Sequence, residues 1–189
     1  MYQNLKETSG LRFSNCDFCE KSCCDGGQFI LAPLILEDVK AVYKNFLVAF
    51  ARIDHKLRLV MLISNRIKPC LYYENKQCTI YDNRPPACHL YPITPFYDQV
   101  LVDSSCHAVG TQGTLLWSEG KVDASFYHER LENFDDKVQK CEQFLANLDW
   151  KFRPVFEIDG ITLLEYIGVQ QNSFIQMHKA SLPFLKEWA

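Results

Sequence analysis

The chain has 189 residues, 48% of them hydrophobic and 13% aromatic, with 8 Gly, 8 Pro and a net charge of −3 when histidines are neutral. That length suits one domain, or a compact domain with an extension, and that composition excludes a disordered or low-complexity chain. The negative charge argues against the basic footprint that nucleic-acid phosphates demand. The start MYQNLKETSG lacks the basic opening and apolar stretch of a secretory leader, and no run approaches the ~18 apolar residues of a membrane span. No nucleic-acid or membrane partner is expected, and the expected location is cytoplasmic.

In chain order, residues 1–15 read as a polar lead-in to a run of cysteines, and Gly26 and Gly27 follow in irregular backbone. Phe29 to Leu36 reads as a short extended segment broken by Pro33. The stretch from Glu37 to Phe50 reads as a helix with acidic residues in its first turn and a buried stripe of Val39, Val42, Tyr43 and Phe46. His55 to Ser64 alternates as a strand does, with Leu57, Leu59, Met61 and Ile63 on one face. A tight hairpin is expected around Glu74 to Gln77, leading into a Pro-rich turn at Arg84, Pro85 and Pro86.

Further on, Tyr97 to Val102 supplies another strand and Thr111 to Lys121 reads as a turn-rich connection. From Glu129 to Leu148 the residues Leu131, Phe134, Val138, Cys141, Leu145 and Leu148 recur at steps of three and four, which predicts a helix. After Trp150 come a turn at Asp159 and Gly160 and more helix-like sequence. The expected fold is α+β: a small mixed domain in which a cysteine-rich loop and hairpin region, residues 1–110, packs on helices. Residues 111–189 are a mainly helical extension, expected to belong to the same compact domain.

Nine cysteines in such a chain need a reason. A reducing compartment disfavours disulfides, and a chain of this length does not need them to make up for a small core. Metal ligation or thiol redox chemistry remains. Cys16, Cys19, Cys23 and Cys24 lie within nine residues, and the two-residue gap of the first pair lets one turn present two thiolates to one metal. On a helix the four would span an arc of about 140°. Neighbouring side chains diverge, however, and zinc–sulfur bonds are only about 2.3 Å long. Cys23 and Cys24 therefore favour two neighbouring metals, or a multinuclear cluster, over a single mononuclear site.

Cys70, Cys78, Cys88 and Cys106 are spaced as ligands that folding brings together. A hairpin with Cys70 and Cys78 on its two arms would set both thiolates on one side, and the Arg84–Pro85–Pro86 turn would fix the approach of Cys88. Cys141 falls on the apolar stripe of its helix and is expected in the core. His89 and His107 each follow a candidate ligand and suit an outer hydrogen bond better than direct ligation. Arg84 and Lys21 suit equally an offset to thiolate charge and a solvated surface or turn position. Asp25 and Asp82 suit turns.

The run CDFCEKSCC, followed by PCLYYENKQCTIYDNRPPACHLYP and CHAVG, resembles the CxxCxxCC, or YkgJ-type, cysteine cluster family, a zinc- or iron-chelating domain. The resemblance covers roughly residues 16 to 110: the quartet, Cys70, Cys78 with Ile80 and Tyr81, Arg84 with Pro85, Cys88, Tyr91 with Pro92, and Cys106 with Gly110. Here three residues rather than two precede the cysteine pair, and His89 stands where the family often has arginine. The resemblance implies bound zinc or iron, an iron–sulfur cluster included, with Cys16, Cys19, Cys23, Cys24, Cys70, Cys78, Cys88 and Cys106 as the metal ligands. It also implies an alternative, a metal-dependent enzyme related to the flagellin lysine N-methylases. Against that alternative stands the absence of a dinucleotide-type glycine loop after a strand. Thiol redox sensing is a third reading.

Overall fold

The computed structural model describes residues 2–8, 10–14, 23–26, 29–96, 99–119, 121–126 and 129–188. With 29% helix and 34% strand, the chain is the expected mixture of helix and sheet. It divides into two compact units, Met1–Cys23 with Pro86–Asp135, and Cys24–Pro85 with Asp136–Ala189.

The second unit is organised by a five-stranded antiparallel sheet in the order Phe152–Ile158, Ile161–Tyr166, Val48–Ile53, Lys56–Leu62, Leu31–Leu34. Two of its connections are two-residue turns, Asp54–His55 and Asp159–Gly160, in which both residues have positive φ. Such turns match the right-handed twist of the strands they join. Six of the seven residues of Lys56–Leu62 are buried, because both faces of the sheet are covered. Leu47, Ala49, Ala51, Val60, Leu62, Ile158, Leu163 and Trp188 form one apolar cluster. The helix Ser173–Ser181 docks on the strand Val48–Ile53: the Val48 carbonyl faces His178 Nδ1 at 2.8 Å, and the Val48 N–H donates to Ser181 Oγ at 3.0 Å.

Several expectations change here. The helix from residue 37 ends at Val42, and the chain re-enters the sheet at Val48. Val48, Ala49, Phe50 and Ala51 are buried on both faces, and such a run has no period that separates strand from helix. Pro33 does not break its segment. It sits in the edge strand Leu31–Leu34 opposite Val60, where a missing N–H costs no ladder bond. The stretch after Trp150 supplies two strands before its helix, and the long helix is Phe134–Ala146, preceded by a short 3₁₀ turn at Glu129–Leu131 and by Asn133 at positive φ.

The first unit holds two smaller sheets, ordered Tyr2–Asn4, Gln99–Asp103, Ile93–Phe96 and Val109–Gly110, Gly10–Phe13, Thr114–Ser118, Lys121–Val122. The N-terminal lead-in is thus partly strand, and the expected connection over 111–121 contains the strand Thr114–Ser118. The N-terminal part of the predicted strand 97–102 lies outside the described residues. Among the described residues Leu5, Ile93, Val102, Leu116 and Trp117 form an apolar cluster. Gly113, at φ 93°, passes so close to Phe13 that a Cβ there would collide with its backbone.

Candidate metal centre

In the second unit, Cys24 lies in a turn, Cys70 just before one, and Cys78 at the end of a short strand. The Cys70 N–H donates to the Cys24 carbonyl at 2.9 Å, so the end of the quartet is tied to a stretch 46 positions further along the chain. The approach is close enough to require glycine nearby. Gly26 has φ 91°, and a Cβ on it would sit 3.3 Å from the Lys68 carbonyl oxygen. The Tyr73 N–H then donates to the Cys70 carbonyl at 2.9 Å and opens the hairpin Tyr73–Glu74/Gln77–Cys78, turned by Asn75 and Lys76 at positive φ.

Cys78 stands on one arm of that hairpin opposite Tyr73. Cys70 lies before the other arm rather than on it, since the hairpin is only two residues deep. Burial pushes the Cys78 thiol up; the charge of Cys24 pushes it further, while the Ile80 backbone and the Arg84 guanidinium pull it down. Cys24 and Cys78 are thus near enough for each to feel the other's charge, the situation a bound cation relieves. The Arg84 guanidinium stacks 3.7 Å over the Tyr81 ring.

In the first unit the helix Pro86–Leu90 carries Cys88, with Pro86 at its first position, where a missing N–H is tolerated. Cys106 is buried at the end of a turn that follows the strand Gln99–Asp103. Its N–H donates to the Asp103 carbonyl at 3.1 Å. The chain entering the quartet is pinned nearby, for the Ser14 N–H donates to the Ala108 carbonyl at 2.8 Å. Burial raises the Tyr91 phenol, and the charges of Asp103, Cys106 and Cys23 raise it further. Cys23 and Cys106 thus both lie within electrostatic reach of one tyrosine.

Cys16 and Cys19 lie outside the described residues, as does Lys21. Among the described residues no disulfide joins two cysteines, and no group of three or more His, Cys, Asp or Glu side chains is placed to hold a metal ion. The fit to zinc or iron therefore rests on the donor chemistry of soft thiolates and on neighbouring cysteines rather than a closed shell. Cys141 is 1% exposed, and burial, followed by the charge of Asp38, pushes its thiol up to about 12, as suits a core cysteine. His89 and His107 are both exposed.

One comparison with known proteins decides the family. The sequence model of the CxxCxxCC family, described as "Putative zinc- or iron-chelating domain", matches residues 15–141, more than half of the chain. The chain belongs to the CxxCxxCC family. No curated protein and no solved structure matches it. The CxxCxxCC match extends beyond Cys106 through the strand Thr114–Ser118 and into the helix that carries Cys141. Sequence reasoning gave no role to Asp103, which is buried beside Cys106. Its local signal is the Asp-Ser-Ser turn at residues 103–105, in which the Asp103 carboxylate accepts from the Ser105 N–H at 2.9 Å and from the Ser105 hydroxyl. Among the described residues no helix is long and apolar enough to cross a membrane.

Proposed function

We propose that this CxxCxxCC protein binds zinc or iron, the latter as an ion or an iron–sulfur cluster, through Cys16, Cys19, Cys23, Cys24, Cys70, Cys78, Cys88 and Cys106. The observation that supports the reading is the Cys70–Cys24 backbone bond, which ties the last cysteine of the quartet to the Cys70 segment, with Cys78 within electrostatic reach of Cys24. When bound, the metal supplies positive charge that stabilises neighbouring thiolates and cross-links turns with little apolar core of their own. Because adjacent side chains diverge, Cys23 and Cys24 are assigned to different metal ions or to different corners of a multinuclear cluster. An all-thiolate shell leaves no open position for a substrate, which favours a structural or electron-transfer role over Lewis-acid catalysis. The chain's own part is to hold the thiolates, with Arg84 placed to offset the charge of Cys78.

Serine substitution tests the ligand set. Cys24→Ser and Cys78→Ser, purified beside the wild type, are expected to lose bound metal, whereas Cys141→Ser is expected to keep the full complement. Equal metal content in all three variants would contradict the assignment.

A further inference from the structure

We propose that Tyr91 and Asp103 are positioning residues that clamp the Cys88 segment to the Cys106 turn and thereby set how tightly the cluster holds its metal. Tyr91 stands three residues after Cys88, at the end of the helix Pro86–Leu90, and Asp103 stands three residues before Cys106. The Tyr91 hydroxyl donates to Asp103 Oδ2 at 3.0 Å, and one neutral–charged hydrogen bond thus spans the two cysteine-bearing segments. Backbone bonds reinforce it: the Asp103 N–H donates to the Pro92 carbonyl at 3.0 Å, and the Asp103 carbonyl accepts from the Cys106 N–H at 3.1 Å.

Asp103 is 2% exposed, and its carboxylate accepts from the Tyr91 hydroxyl, the Ser105 N–H and the Ser105 hydroxyl. A carboxylate occupied in this way serves as an anchor for the turn rather than as a ligand. Removing the Tyr91 hydroxyl takes one donor from Asp103 Oδ2 and loosens the Cys88 segment against the Cys106 turn, leaving the Asp103–Pro92 backbone bond to hold the two together. Outer groups that orient ligands in this manner typically govern about 10–100-fold in metal affinity.

The inference rests on the metal-binding reading, and the test separates the two. Tyr91→Phe, which keeps the ring, and Asp103→Asn are made in the full chain and purified with their metal. Release of zinc or iron to a chromogenic chelator is timed, and the thiolate charge-transfer absorption is recorded after cobalt(II) substitution. Both variants are expected to release metal about 10–100-fold faster than the wild type, with an altered cobalt spectrum. Tyr166→Phe, which removes a phenol hydrogen-bonded to Asp149 in the other unit, is expected to lose stability but keep the wild-type release rate and spectrum. Should Asp103→Asn fail to fold, Tyr91→Phe alone decides. Wild-type release and spectrum in Tyr91→Phe would overturn the positioning role alone, whereas a wild-type protein that carries no metal would overturn the metal-binding reading and the clamp with it.

Discussion

The two units solve the same problem of internal cohesion by different means. The second unit buries a five-stranded sheet on both faces and closes it with Ser173–Ser181 and the C-terminal Trp188. The first unit distributes short strands over two sheets, and among its described residues Leu5, Ile93, Val102, Leu116 and Trp117 pack into one apolar cluster. Burial of apolar area at about 25 cal/mol per Å² offsets chain entropy only where enough of it accumulates. Among the described residues, the contrast leaves the first unit, where Cys88 and Cys106 lie, with the greater need of a bound cross-link, while the buried sheet of the second supports the segments that carry Cys24, Cys70 and Cys78.

The largest effect should come from stripping the metal. If the contrast holds, a strong chelator abolishes amide-exchange protection at Leu101–Asp103 and Leu115–Trp117, while Phe50, Leu59 and Leu163 in the five-stranded sheet stay protected. Equal loss in both units, or no loss in either, would break the comparison.

A core truncation sharpens it from the other side. Leu163 is fully buried in the strand Ile161–Tyr166. Leu163→Ala is expected to lower the unfolding free energy of that unit by about 3 kcal/mol, measured by urea denaturation, without changing metal content.

A smaller, pH-dependent effect belongs to the second unit. His178 is 1% exposed: its Nε2 accepts the Tyr166 N–H at 3.1 Å, which leaves Nδ1 as the donor to Val48. Burial holds its pKa below the ordinary value; Lys179 lowers it as well, while the Val48 carbonyl and Glu165 oppose. On acidification the unfolded chain takes up this proton first, at about pH 6.5, so the stabilisation is present above that pH and is lost as pH falls further. The expected slope is up to about 1.4 kcal/mol per pH unit, seen as a falling urea midpoint, and His178→Gln should flatten it.

The smallest effect is expected at the surface pair of exposed Arg153 and part-buried Glu165, where Arg153→Ala should cost under about 1 kcal/mol in the same denaturation measurement.

Local patterns carried some of these features and not others. The hairpin at Asn75–Lys76, the Asp159–Gly160 turn and the core place of Cys141 were legible, because each depends on residues near in sequence. The strands Tyr2–Asn4 and Gly10–Phe13 were not, since their partners Leu101–Asp103 and Val109–Ser118 lie about a hundred residues away. Val48–Ala51 was ambiguous because a strand buried on both faces shows no alternation. At the cysteines, spacing pointed to the chemistry, but the Cys70–Cys24 bond and the Tyr91–Asp103 clamp depend on turns whose approach no sequence window records.

The central claim is that the cysteines hold metal. Purifying the full chain without oxygen and measuring zinc, iron and acid-labile sulfide per chain, alongside the visible spectrum, tests it most directly. The account predicts stoichiometric metal, colourless if zinc and with a broad visible charge-transfer band if iron–sulfur. A folded, fully reduced protein with no stoichiometric zinc, iron or sulfide would contradict it.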